Sequence, residues 1–240
     1  MSWGEVVFLL IRGRVVIDGA MHEAVAALAG CGVSPVVRVA DGQGWMIKRA
    51  LDAGAHGVIV PLLNTIKDAE RVVAAAKFPP VGVRGFGSPF PMERFGGIGG
   101  GIGMKEYLEQ ANDSIVVIVQ IETKEALENV DGIAGVKGVD VLFVGPFDLG
   151  ISIGEGILEK GGVTEVLRSA MMKVLKAARE AGKKAAIFST SGEQAREYAD
   201  MGFDMISVCG DYNAILQANT EALKIAKGRN PVSKESKQNS

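Results

Sequence analysis

The chain has 240 residues, 48% of them hydrophobic, and a formal net charge of -2. That is enough apolar material for one sizeable core, and no basic surplus asks for nucleic acid as a partner. Two cysteines, Cys31 and Cys209, make neither a disulfide framework nor a cysteine metal site, and no apolar run nears the ~20 residues of a membrane span. The start of the chain shows no basic segment followed by a small-residue cleavage site, so no secretory signal is expected. Together with the sparse cysteines this points to a cytoplasmic protein.

In chain order, short β-branched runs recur: "VVFLL" (6–10), "RVVID" (14–18), "PVVRV" (35–39), "GVIVP" (57–61), "IVVIVQIE" (115–122), "VLFVGP" (141–146), "KAAIF" (184–188) and "MISVCG" (205–210). Most are continuously apolar, as expected of strands covered on both faces. Amphipathic segments with helical spacing lie between most of them, such as "GWMIKRALDAGA", "IKDAERVVAAAK", "VTEVLRSAMMKVLKAAREAG" and "SGEQAREYADMG". In the last of these, Ser191 is expected to cap the helix start and Gly202 to stop it. Strand and helix alternate through one chain, which means α/β with a parallel sheet. Eight runs in this length predict a (β/α)8 TIM-type barrel. A doubly wound sheet would advertise a glycine-rich phosphate turn after its first strand, and none is there. The expected layout is one barrel domain over residues 1–228 and a disordered polar tail over 229–240.

One junction resists this scheme. Only Ile11, Arg12 and Gly13 separate "VVFLL" from "RVVID", and neighbouring parallel strands need a crossover of about a dozen residues or more. The two runs therefore form a hairpin, or one is not a strand. The first quarter of the barrel is expected to be irregular or truncated. "GGIGGGIG" (96–103) lacks both the preceding strand and the following Lys-Ser/Thr of a phosphate loop, so it reads as a surface loop.

Chemistry in a parallel barrel collects at the carboxyl ends of the strands. Those ends carry Asp18, Arg38, Asn64, Gln120, Glu122, Asp148, Ser189 and Thr190. Glu122 and Asp148 together would serve as an acid/base pair or as oxygen ligands for Mg²⁺ or Mn²⁺. Zinc would want histidine or cysteine, and the chain has two histidines. Arg38 suits a substrate carboxylate. A purely structural reading has Glu122 capping the helix "TKEALENV" and Asp148 anchoring a turn. Strand-end position alone does not separate these readings.

The motifs "VVRV", "MIKRALDAGAHGVIVPLLNT", "PPVGVRGFG", "VQIET" and "FVGPFDLG" occur in this order between about Pro35 and Gly228. In order and spacing they resemble the HpcH/HpaI aldolase and citrate lyase family, the metal-dependent class II pyruvate aldolases. The resemblance implies a barrel that binds Mg²⁺, Mn²⁺ or Co²⁺ and makes or breaks a carbon–carbon bond beside a pyruvate enolate. Its small-molecule partners would be a 2-oxo acid and an aldehyde. It implies Glu122 and Asp148 as metal ligands and Arg38 on the pyruvyl carboxylate and carbonyl oxygen. Backbone amides at Phe147 and Asp148 would hold the carboxylate, with Gln120 beside the metal. Asp52 matches the residue that pairs with the family's catalytic histidine. Members are commonly homo-oligomers, often hexamers, whose neighbouring subunits complete the site.

There are departures. The family's full β-α unit before its second strand is missing from the pattern. Its D-x-E-H motif is represented by "IDGAMHEA", where Asp18 matches but His22 falls one place late. "GPxDLS" ends in Gly150. An oxaloacetate decarboxylase similar to macrophomate synthase would tolerate the loss of the histidine better than an aldolase. A truncated, catalytically poor relative is the reading from another class. His56, at the amino end of "GVIVP", is expected to be structural.

Overall fold

The computed structural model describes residues 6–10, 18–95 and 100–228. In chain order the elements are β1 (Val6–Leu10), α1 (Asp18–Gly30), β2 (Ser34–Arg38), α2 (Gly44–Asp52), β3 (Gly57–Val60), α3 (Ile66–Ala76), α4 (Phe90–Phe95), α5 (Met104–Ser114) and β4 (Val116–Ile121). They continue with α6 (Lys124–Glu128), α7 (Val130–Gly135), β5 (Val141–Val144), α8 (Pro146–Ser152), α9 (Ile157–Lys160), α10 (Glu165–Glu180), β6 (Lys184–Phe188), α11 (Gly192–Met201), β7 (Met205–Ser207) and α12 (Asp211–Ala226).

The strands form one sheet in the order β1 to β7, and every neighbouring pair is parallel. A doubly wound sheet must reverse its strand order at one point. This order never reverses, so right-handed crossovers place the helices on a single face. The strand residues show the consequence. Val37, Val58, Val117, Val119, Leu142, Val144, Ala185 and Ile187 join the main core beneath the helices. Their alternates Val36, Ile59, Ile118, Val141, Phe143 and Ala186 form a second, smaller cluster on the opposite face. Two buried faces explain why the runs read as continuously apolar.

The expected eight-strand circuit is not what the described residues form. They give seven strands, with no pairing between β7 and β1. "VVFLL" is the strand that pairs with β2, from Val6 opposite Ser34 to Leu10 opposite Arg38. The crossover between them is α1. The run "RVVID" lies outside the described residues except for Asp18, which opens α1. The 229–240 tail and residues 96–99 of the glycine-dense loop also lie outside them.

Local signals act as the sequence suggests. The Ser191 hydroxyl accepts the Gln194 amide at the start of α11, and Gly202 ends that helix in the left-handed region at φ 102°. His56 sits at the amino end of β3. Its backbone links Pro35 to Val116, its Nε2 lies 3.0 Å from the Arg94 carbonyl, and its ring packs on Phe95. Burial lowers its pKa, and the bond to the Arg94 carbonyl partly opposes this.

Candidate active site

Side chains alternate along a strand, so residues two apart share a face. Arg38 follows Val36 on β2. Gln120 and then Glu122 follow Ile118 along β4, and Gly145 follows Phe143 beyond β5. All four therefore stand on the face away from the main helical layer, at the carboxyl end of the sheet. A cavity of about 400 Å³ opens there, lined by Arg38, Gln120, Gly145, Phe147, Asp148 and residues beyond β6 and β7. A second cavity, about 500 Å³, lies between α3 and α7 on the helical layer and contains no strand end.

One hydrogen-bonded chain organises the mouth. Arg38 Nε donates to Gln120 Oε1 at 2.8 Å. Gln120 Nε2 donates to Glu122 Oε2 at 2.9 Å. The Leu62 amide donates to Glu122 Oε1 at 2.8 Å. Arginine only donates, so Gln120 must turn its oxygen toward Arg38 and its NH₂ toward Glu122. The chain therefore has a fixed polarity that ends on a carboxylate. Leu62 reaches Glu122 with a backbone φ of 53°, unusual for a branched side chain, and its own side chain is 62% exposed. The loop conformation thus serves the amide, not the leucine.

Glu122 is only 2% exposed. Burial pushes its pKa up, and the nearby Asp148 charge adds to this. The Leu62 amide and Arg38 oppose it. Asp148 lies in the first turn of α8, is exposed, and makes no hydrogen bond among the described residues. Pro146 opens α8, where its missing N–H costs nothing. Phe147 packs edge-on to Phe188 with ring centroids 6.4 Å apart.

The capping role that sequence reasoning allowed for Glu122 belongs instead to Thr123, whose hydroxyl accepts the Ala126 amide at 3.0 Å. Asn64, another strand-end candidate, is bound to Thr123 and Asn129 and lies outside the cavity lining. His22 stands on α1 with its ring 5.0 Å from that of Phe90. Asp52 ends α2, where it pairs with Lys48 and with Arg84 at 3.0 Å. Arg84 is buried, stacks over Phe78 and donates to the Tyr107 hydroxyl. Neither His22 nor Asp52 lines the cavity, and Glu122 is buried directly behind its Gly145 wall. Sequence reasoning missed the Leu62 amide and the rim of Cys209, Asp211, Tyr212 and Asn213. The rim follows β7, so strand-end logic extended one strand further would have found it.

The chemistry of the donors suits a hard divalent cation. Asp148 lines the cavity and Glu122 is buried just behind Gly145, where the Asp148 charge adds to the cost of charging Glu122. No group of three or more His, Cys, Asp or Glu suited to an ion occurs among the described residues. Water and substrate oxygens would have to complete the shell, as is usual for Mg²⁺.

Comparison with known proteins decides the family. The model of the HpcH/HpaI aldolase/citrate lyase family matches residues 12–218. The chain belongs to this family. It is 36% identical over 204 residues to a hydroxypyruvate/pyruvate aldolase of Chromohalobacter salexigens, covering 84% of this chain and 76% of that one. It is 33% identical over 192 residues to a 5-keto-4-deoxy-D-glucarate aldolase of Shigella boydii, covering 80% and 71%. Among solved structures, a member of the same family from Burkholderia cenocepacia superimposes with a TM-score of 0.79 at 32% identity, covering 92% of this chain and 84% of that one. Macrophomate synthase does so at 0.77 and 25% identity, covering 94% and 79%. HpcH/HpaI aldolases are divalent-metal enzymes, and this chain is a carbon–carbon lyase of that family.

Proposed function

We propose that the chain makes or cleaves the bond between a pyruvate-derived enolate and an aldehyde, within a (β/α)8-type barrel whose first quarter is irregular. The observation that carries this reading is the polarised chain from Arg38 and Gln120 in the cavity lining to the buried Glu122 behind it. Glu122 and Asp148 hold the cation, with Mg²⁺ favoured over Mn²⁺ or Co²⁺ for an all-oxygen set. When bound, the cation supplies Lewis-acid stabilisation of the developing enolate oxygen.

The protein's own residues do the remainder. Arg38 takes the 2-oxo acid carboxylate and the carbonyl oxygen, where negative charge grows toward the transition state. Gln120 fixes the Arg38 guanidinium by accepting from its Nε. Backbone amides at Phe147 and Asp148 complete the carboxylate cradle. The Phe147, Phe143 and Phe188 rings line the same cavity and limit its water.

Oxaloacetate decarboxylation is the second reading. It needs the same enolate stabilisation but no base, and the described lining contains no histidine. His22 and Asp52 lie outside this lining, so we assign them a catalytic role only across a subunit boundary, with a neighbouring copy bringing them to the cavity. A homo-oligomer, up to a hexamer, is supported by α12, which has no buried residue and exposes Ile215, Leu216, Leu223 and Ile225. No described helix is long and apolar enough to cross a membrane. We place the enzyme in the cytoplasm, where the two exposed free cysteines would stay reduced.

The test is oxaloacetate turnover with Mg²⁺ or Mn²⁺, after subtracting the metal-only rate. Arg38→Ala is expected to lower turnover by about 10²–10³, because its contribution grows toward the transition state. His22→Ala is expected to keep decarboxylation, which uses no base. Wild-type turnover in Arg38→Ala, or a wild-type rate no higher than metal alone, would overturn the reading.

A further inference from the structure

The cavity continues past Asp148 toward the ends of β6 and β7. This far half holds Ser189, Thr190, Cys209, Asp211, Tyr212 and Asn213. If the 2-oxo acid sits between Arg38 and Asp148, as proposed above, this half receives the aldehyde.

The protons of Ser189, Thr190 and Cys209 are already committed. Ser189, 2% exposed, donates its hydroxyl to the Ser207 carbonyl and lies 3.4 Å from that of Ser191. Thr190 Oγ1 donates to Gln194 Oε1 at 3.2 Å. Cys209 Sγ donates to the Gly210 carbonyl at 3.4 Å. A hydroxyl has one proton and two lone pairs, so Ser189 and Thr190 turn only lone pairs to a ligand. Asp211 adds a carboxylate. It stands in the first turn of α12, where free amides would otherwise welcome an anion, and its Oδ1 accepts the Tyr212 amide at 2.7 Å. Tyr212 and Asn213 are uncharged and can each donate as well as accept. The only cation in the described lining is Arg38, which the proposed site gives to the 2-oxo acid.

A half-cavity with one carboxylate and no cation of its own disfavours anions, while its neutral polar groups still take a ligand hydroxyl. We propose that this half of the cavity selects an uncharged hydroxyaldehyde as acceptor, with Asp211 turning away aldehydes that carry a carboxylate. The inference rests on the aldolase reading and adds the class of its second substrate.

The experiment uses the full chain loaded with Mg²⁺ or Mn²⁺ and pyruvate. Exchange of the pyruvate methyl protons with deuterated water is measured first. Condensation is then followed with glycolaldehyde, acetaldehyde, glyoxylate and succinic semialdehyde. Glycolaldehyde should give the highest kcat/KM, ahead of acetaldehyde, which lacks the hydroxyl donor. In Asp211→Asn the ratio of glyoxylate to glycolaldehyde kcat/KM should rise about fivefold, the scale of one exposed, water-screened like charge about 4 Å away. In the wild type that discrimination should shrink as salt is raised, because Asp211 is exposed and screened. The salt series also answers should the variant fail to fold. Methyl exchange with equal use of charged and neutral acceptors, or a ratio unmoved in Asp211→Asn, overturns the inference and leaves the aldolase reading standing. Absence of methyl exchange in the wild type overturns both.

Discussion

Gly145 offers a test of how tightly the mouth is built. A Cβ placed on this residue would lie 2.9 Å from Glu122 Oε2, 3.3 Å from Glu122 Cβ and 3.5 Å from Gln120 Nε2. The backbone of Gly145, at φ -97° and ψ 90°, poses no left-handed problem for alanine, so the whole effect of Gly145→Ala is steric. Glu122 has little room to yield. One carboxylate oxygen takes the Leu62 amide and the other takes Gln120. Swinging the carboxylate leaves the contact at Cβ in place. Overpacking of this kind costs about 1–3 kcal/mol. If about 1.4 kcal/mol of that falls on the liganding geometry, cation affinity drops about tenfold. Calorimetric titration of Mn²⁺ in the presence of pyruvate measures this directly. Gly192→Ala serves as the control, since a Cβ there meets nothing within 4 Å. A folded Gly145→Ala that binds Mn²⁺ within about twofold of wild type would refute the claim that Glu122 is pinned as a ligand.

The same calorimetry on Glu122→Gln and Asp148→Asn should show cation binding collapse in both, and a variant that keeps wild-type affinity removes its residue from the site. Glu122→Gln carries a second penalty: its new NH₂ must avoid two donors, Leu62 N and Gln120 Nε2, and a donor left facing a donor costs about 1–3 kcal/mol. His56 governs a pH dependence away from the site. Its folded pKa lies below the ordinary value, so the unfolded chain binds its proton first. The stability it supports is complete above the unfolded value and is lost as pH falls through that value toward the folded one. Chemical denaturation between about pH 5 and 7.5 should show this slope flattened in His56→Asn; an unchanged slope would exclude His56 as its source.

Much of the architecture is legible in the residues. Continuous apolar runs separated by 3.6-periodic segments specify the parallel sheet, and strand-end position with period-two alternation brings Arg38, Gln120 and Glu122 to one face. Other features are invisible at that level. Nothing about a leucine announces a left-handed backbone, so the Leu62 amide was hidden although it holds Glu122. The choice between Glu122 and Thr123 as helix cap depends on where the strand ends by a single residue, and periodicity does not resolve that. "VVFLL" and "RVVID" both have strand composition, and their three-residue junction shows only that they are not consecutive parallel strands. Pairing with β2 is a long-range property that neither run encodes by itself.

The two halves of the cavity rest on very different foundations. Arg38, Gln120 and Glu122 are mounted on central strands with both faces packed, whereas Asp211, Tyr212 and Asn213 belong to a helix with no buried side chain. A rim mounted in this way is held in place only as well as the surroundings of α12 hold it. Dilution or mild denaturant should therefore blur the choice of acceptor before it stops turnover of the 2-oxo acid, so that fidelity fails ahead of activity.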